Sequence, residues 1–151
     1  MLLQYPERDD PTFLLPPVSL PDLEEPTVLH QVIKGENLGV LQFLATHPAY
    51  AGKIDLIYID PPYATGIDFR VEKGRTRTIS HSKKGQIAYK DRLTGGAFLE
   101  FLRLRLGAMR ELLSPQGSIY VHVDEKVGSY VRLLLDEVFG AENYRSSISR
   151  I

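Results

Sequence analysis

The ten residues Ile54-Asp55-Leu56-Ile57-Tyr58-Ile59-Asp60-Pro61-Pro62-Tyr63 restrict the possible folds more than any other part of the chain. Ile54, Leu56, Ile57, Tyr58 and Ile59 make an apolar run of the kind that forms a strand buried on both faces of a parallel sheet. The run stops at Pro61 and Pro62, which cannot donate to a β-ladder. Asp60 is therefore expected at the carboxyl edge of the sheet, where open α/β folds bind their ligands.

An acid, a stiff backbone and an aromatic at such an edge suit alkylation of an exocyclic amine on a nucleobase. That nitrogen is a poor nucleophile because its lone pair is conjugated into the ring. The Asp60 carboxylate and the Pro61 carbonyl can accept its hydrogens and draw it toward tetrahedral geometry. The fixed φ of Pro61 and Pro62 holds these acceptors in place before the reaction. Tyr63 offers a π-face for a base taken out of its duplex, an interaction of ~1–3 kcal/mol per stacked base. The plainer alternative is a strand closed by a Pro-Pro turn with Asp60 as a cap.

Asp60-Pro61-Pro62-Tyr63, continued by Ala64-Thr65-Gly66, resembles the catalytic motif of amino-group DNA methyltransferases. It is most similar to the permuted, beta-class adenine-N6 enzymes, which include the modification subunits of type III restriction systems. The resemblance covers roughly residues 28–151. It implies an α/β chain forming part of a Rossmann-like, three-layer αβα methyltransferase fold, with S-adenosylmethionine as cofactor and double-stranded DNA as partner. A restriction subunit or a second methyltransferase copy is a further partner that the family admits. The catalytic residues so implied are Asp60, Pro61, Pro62 and Tyr63, with Asp60 also beside the cofactor. Cytosine-N4 and RNA base enzymes share the amine chemistry, but cytosine-N4 enzymes more often begin the motif with serine. A non-catalytic DNA-binding remnant is the third reading.

Around this motif the chain divides into an arm and a domain. Residues 1–27 hold Pro6, Pro11, Pro16, Pro17, Pro21 and Pro26 and six acids against the single base Arg8. Such a segment favours extended backbone, and it reads as a partly disordered arm laid over the domain through Phe13, Leu14 and Leu15. Val28 to Ile33 reads as a short strand, followed by a turn at Lys34–Asn37. Asn37 is placed to cap a helix running to about His47, with Leu38, Leu41, Phe43 and Leu44 on its apolar side. Strand, helix and the strand at 54–59 then form one right-handed crossover. In the family resembled, an acid at this turn lies near the adenosine end of the cofactor. The matching residue here is Glu36.

Residues 64–96 are long for a connection inside a compact domain. Between Phe69 and Arg92 eight bases face only Glu72 and Asp91. The stretch reads as a cationic flap over the base pocket, with Arg70, Lys73, Arg75, Arg77, Lys83 and Lys84 as candidate phosphate contacts.

Phe98, Leu102, Leu106, Met109 and Leu113 recur at helical spacing and predict an amphipathic helix over 97–113. Glu100, Arg103, Arg105, Arg110 and Glu111 are assigned mostly to its polar side. A turn at Ser114–Gly117 leads to a strand over 118–123 that delivers Asp124 to the edge holding Asp60; His122 and Asp124 are each candidates for the pocket wall, the plainer reading of each being a satisfied strand-end polar group. A second helix spans about 126–139, with Tyr130, Leu133, Leu134, Glu137 and Val138 on adjoining turns and Gly140 at its C-terminus. Residues 145–151 read as a last strand.

The chain has no cysteine, which excludes disulfides and thiolate metal sites and fits a reducing cytoplasm. No metal site is expected. No run reaches the ~18 apolar residues of a membrane span, and no signal peptide is indicated. The net charge of −1 carries no global nucleic-acid signature. A methyltransferase also needs a glycine-rich cofactor turn, written Phe-x-Gly-x-Gly or similar in the family resembled. The residues before Ile54 hold only Gly35, Gly39 and Gly52, in no such pattern. The expectation is an N-terminal catalytic half, truncated before the cofactor-binding glycine motif and inactive alone.

Overall fold

The computed structural model describes residues 8–13, 32–62, 68–71, 79–80, 86–90 and 95–149. Its centre is a parallel strand pair, β1 (Ile54–Ile59) and β5 (Leu113–Val121), joined through the helix α2 (Gly95–Leu112). Parallel neighbours need such a crossover, because a hairpin can only reverse the chain. Helices α1 (Asn37–Thr46) and α3 (Glu125–Phe139) flank α2. The fold is α/β.

The core lies between the strands and α2. Phe98, Leu99, Leu102, Leu106 and Met109 of α2 pack with Val131 and Leu134 of α3, and Ile57, Ile59, Ile119 and Val121 of the strands press against them. Each fully buried side chain of this size contributes about 1.5–3 kcal/mol relative to exposure. The helical spacing of the α2 residues produces this result directly: residues three and four apart share the face that meets the sheet. Leu113, expected on the same stripe, starts β5 instead, and Leu112 takes the buried place. On α3, Val131 and Leu134 are buried, whereas Tyr130 and Leu133 face solvent.

The strands depart from the expectation of burial on both faces. Leu56 is 61% and Tyr58 65% exposed, and Tyr120 beside them is half exposed. The described helices all lie on the opposite face, so the alternation of β1 shows directly in its burial. Among the described residues there are two layers, not three.

Ser114–Gly117 falls inside β5 as a bulge. Ile54 pairs with Leu113 but Leu56 pairs with Ser118, so β5 carries extra residues between the two registers. Gly117 is required there: a Cβ would stand 2.7 Å from the Ile54 carbonyl oxygen and 2.9 Å from Leu113 Cδ2.

The stretch read as a cationic flap contains strands. β2 (Asp68–Val71) pairs antiparallel with β3 (Ile79–Ser80) and with β4 (Gln86–Lys90), in the order β3-β2-β4. The β-branched and aromatic residues Val71, Phe69, Ile79, Ile87 and Tyr89 favour pairing even though the stretch is rich in charge. At the chain's ends the expected strands differ. Residues 28–31 lie outside the described part, and Val32 and Ile33 are exposed and form no strand. Residues 144–149 also form none: a strand needs a ladder partner, and no described strand lies alongside them.

Of the N-terminal arm, residues 8–13 are described and include a short 3-10 turn at Pro11–Phe13. Their contact with the domain is ionic. Arg8 donates to both Glu137 oxygens at 2.6 and 3.1 Å, and Asp9 accepts from Arg103 at 2.6 Å. Arg103 also forks onto the buried Glu100. The expected apolar anchors Leu14 and Leu15, and the Phe13 side chain, lie outside the described part. No described helix is long and apolar enough to cross a membrane.

Candidate functional site

Asp60 follows β1 immediately, and His122 follows β5. Ile59 and Val121 are register partners, and the His122 amide donates to the Ile59 carbonyl at 2.9 Å. The ladder therefore continues one bond beyond the assigned strands and fixes the two edge residues side by side. His122 Nδ1 stands 3.5 Å from Asp60 Oδ1, and both side chains are more than half exposed. Pro61 and Pro62 are half-buried and follow without joining a ladder. Asp60 thus sits at the carboxyl edge, on a backbone held from both directions.

Asp124 lies two residues beyond His122 and caps α3, its carboxylate accepting from the Val127 amide at 3.2 Å. That bond gives it a structural role at the strand end. The positive end of α3 consequently opens at the same edge as Asp60.

Glu36 caps α1 in place of the expected Asn37. Its Oε2 accepts from the Gly39 amide at 3.1 Å, and its Oε1 accepts from Arg105 at 2.7 Å. Arg105 also donates to Asn37 Oδ1 at 2.7 Å and to the Phe101 carbonyl at 2.9 Å, with its guanidinium 3.5 Å above the Phe101 ring. Burial lowers the Arg105 pKa below its ordinary value, and the Glu36 carboxylate pushes it back up. Periodicity assigned Arg105 and Glu100 to the polar side of α2, yet both are buried. The missed signal is acid–base pairing at a distance: Arg105 meets Glu36 across 69 positions of sequence. Glu36 keeps capacity for a ligand, since each carboxylate oxygen has two lone pairs and the side chain is 45% exposed.

Two contacts along α2, one before α1 and one after it, also place Glu36 in the domain. Gly52, just before β1, donates to the Glu111 carbonyl at the far end of α2. Glu36 meets Arg105, which precedes Glu111 in that helix. Both helices therefore run against β1, and Glu36 lies toward the carboxyl edge that carries Asp60.

Of the candidate phosphate contacts, Arg70 lies in β2, opposite Ser80 of β3 and Ile87 of β4. Lys73, Arg75, Arg77, Lys83, Lys84 and the stacking candidate Tyr63 lie outside the described part. The structure thus brings together Asp60, Pro61, Pro62 and His122. Among the described residues no cluster of three metal-ligating side chains occurs.

Comparison with known proteins covers this same region. Residues 54–150 match the family model of N6/N4 enzymes described as DNA methylase. The Type II methyltransferase M.EcaI of Enterobacter cloacae is 44% identical over 98 residues, which is 65% of this chain and 19% of that protein. The EcoP15I Mod subunit, from a type III restriction-modification enzyme of Escherichia coli, is 35% identical over 128 residues, 76% of this chain and 20% of the relative. The EcoPI Mod subunit of Escherichia phage P1 is 34% identical over 139 residues, with 80% of this chain and 20% of the relative covered. The chain spans about a fifth of the length of these relatives.

Proposed function

The chain belongs to the N6/N4 DNA methylase family, and from that premise we propose that it is the amine-activating part of a type III Mod-like, adenine-N6 DNA methyltransferase. The observation that carries the reading is Asp60-Pro61-Pro62 at the carboxyl edge of a parallel strand pair, inside the matched stretch. The fold of the whole domain is then Rossmann-like, with residues 28–151 as its catalytic half, 1–27 as an arm and 64–96 as a basic insertion.

Asp60 accepts one hydrogen of the adenine amine and the Pro61 carbonyl the other, which localises the nitrogen lone pair for attack. Both acceptors are in place before the substrate arrives, so little reorganisation accompanies charge development. Tyr63 stacks on the base once it has left the duplex. Arg70, Lys73, Arg75, Arg77, Lys83 and Lys84 neutralise phosphates of double-stranded DNA without reading its sequence. Glu36, held at the α1 N-terminus by Gly39 and Arg105, would help hold the adenosine end of S-adenosylmethionine. S-adenosylmethionine supplies the electrophilic methyl group. The residues before Ile54 carry no glycine-rich cofactor turn, and a restriction subunit or a second methyltransferase copy would be a further partner.

Adenine is preferred over cytosine because the motif begins with Asp60 rather than serine. The test is transfer of a radiolabelled methyl group to mixed-sequence DNA. It is run with the chain alone and with the unmatched part of the EcoP15I Mod subunit supplied in trans, Asp60→Ala serving as control. Label on adenine N6 only with the added part, lost in Asp60→Ala, is the expected result. No label in any mixture, with DNA binding that survives Asp60→Ala, overturns the catalytic reading in favour of a non-catalytic DNA-binding role.

A further inference from the structure

We infer that His122 is a positioning residue for the Asp60 carboxylate, orienting it toward the amine of the target base; the inference rests on the function proposed above. Three observations support it. The His122 amide is bonded to the Ile59 carbonyl, so the backbone of His122 is locked to the residue just before Asp60. Its Nδ1 faces Asp60 Oδ1 at 3.5 Å, across the two strand ends. And neither Pro61 nor Pro62 carries an amide hydrogen, so the local turn bond from the amide two residues on is not open to the Asp60 carboxylate.

The chemistry explains why such a partner is useful. A carboxylate at the end of a strand can rotate about its side-chain bonds. To accept from an amine it must present one oxygen in a fixed direction. An imidazole N–H directed at the other oxygen restricts that rotation and leaves the second oxygen for the substrate. The separation of 3.5 Å is long for a hydrogen bond, and catalytic bonds of this kind commonly shorten when substrate fills the site. Asp124, the other polar residue at this strand end, already holds the Val127 amide and caps α3. Neither Asp60 nor His122 is buried, so the pair is not explained by a core that must be satisfied. His122 does not touch the methyl group or the amine in this scheme. It acts through Asp60.

The Asp60–His122 pairing is tested on the chain itself, independently of activity. At a pH of about 9, where imidazole is neutral, the nitrogen resonances of His122 report which ring nitrogen carries the proton. The expected result is a proton on Nδ1 in the unvaried chain and a shift toward the Nε2 form in Asp60→Ala. Identical His122 resonances in both overturn the inference. The role is tested in the complemented methyl-transfer assay. His122→Ala is expected to lower kcat on the order of ten- to a hundredfold, the range for misplacement of a reacting group. KM for DNA and for S-adenosylmethionine stays within about twofold of the unvaried protein, since differential loss in kcat marks a transition-state interaction. His122→Asn, whose amide nitrogen sits near the place of Nδ1, restores kcat to within about threefold while the melting temperature of both variants is unchanged. Unchanged kcat in His122→Ala, or an Asn variant as slow as the Ala variant, overturns the inference even where the Asp60 requirement holds. Absence of transfer by the unvaried protein overturns the functional reading and this inference with it, while the resonance measurement still reports whether the pairing exists.

Discussion

Replacing Arg105 by methionine removes the guanidinium that ties α1 to α2 while keeping most of the buried stem. The structure sets the size of the loss. One bond joins the guanidinium to the Glu36 carboxylate, and two join it to neutral oxygens of Asn37 and Phe101. A hydrogen bond to a charged group contributes about 1.5–3 kcal/mol, and the guanidinium is the charged donor in all three. Breaking a buried ion pair can cost ~3–5 kcal/mol, because it strands a desolvated charge. That figure is too high here: Glu36 is 45% exposed and keeps its bond to the Gly39 amide, and Asn37 is exposed and regains water. Removing the guanidinium also relieves its own desolvation. The net expectation is a loss of about 2–3 kcal/mol.

Urea denaturation measures it. With a slope of roughly 2 kcal/mol per molar, the midpoint falls by about 1–1.5 M with the slope unchanged. A double-mutant cycle with Glu36→Gln isolates the ion pair, at about 1 kcal/mol for a partner so open to solvent. A midpoint within about 0.25 M of the parent, or a cycle with no coupling, would refute the claim that this network fixes the α1 N-terminus. Glu36 would then need another support to serve a cofactor.

Gly117→Ala should destabilise the chain by about 1–3 kcal/mol, read as a lower urea midpoint, because its Cβ meets the backbone oxygen of Ile54 rather than a side chain that can swing away. Gly140→Ala should cost about 1–2 kcal/mol in the same assay, since φ is +90° there and the crowding from the Glu142 carboxylate is easily relieved, leaving backbone strain as the cost. Asp60→Asn should abolish methyl transfer while moving stability by less than about 0.5 kcal/mol, as expected for a side chain more than half exposed. Lys83→Glu combined with Lys84→Glu should weaken DNA binding without changing sequence preference, and lower the slope of log affinity against log salt by about 0.9 for each phosphate that is no longer neutralised.

What could be seen in the sequence was whatever local chemistry decides alone. The Pro61-Pro62 stop, the stripe from Phe98 to Met109 and the Gly140 terminus each depend on a few neighbouring residues, and the structure places them as expected. What escaped depends on pairing across the chain. Nothing near Arg105 signals that Glu36 waits 69 residues away. An apolar run such as 56–59 does not reveal how many of its faces are covered, because that is set by where the helices go. The bulge over Ser114–Gly117 has the composition of a turn, and only its partner Ile54 makes it part of a strand. Strands β2 to β4 were hidden by their charge, since pairing depends on the alternate residues and not on the average. At the site itself, Asp60 and its prolines were legible as a motif. That His122 rather than Asp124 is the residue facing Asp60 was not, because it follows from the parallel register of β1 and β5.

That register separates what stabilises the molecule from what it does. The core forms on the helix side of the two strands, where Phe98, Leu102 and Leu106 cover Ile57 and Ile59. Asp60 and His122 lie past the ends of those strands and contribute little to burial. Their relative position is nevertheless inherited from the core, because the Ile59–Val121 pairing sets which edge residues become neighbours. On the proposed function, a substitution at Asp60 would therefore remove chemistry without unfolding the chain, whereas a slip of one residue between β1 and β5 would turn Ile57 and Ile59 outward as it separated Asp60 from His122. The opposite face, with Leu56, Tyr58 and Tyr120 exposed, imposes no such penalty by itself. Among the described residues, register, and with it the geometry of the site, is maintained from one side of the sheet.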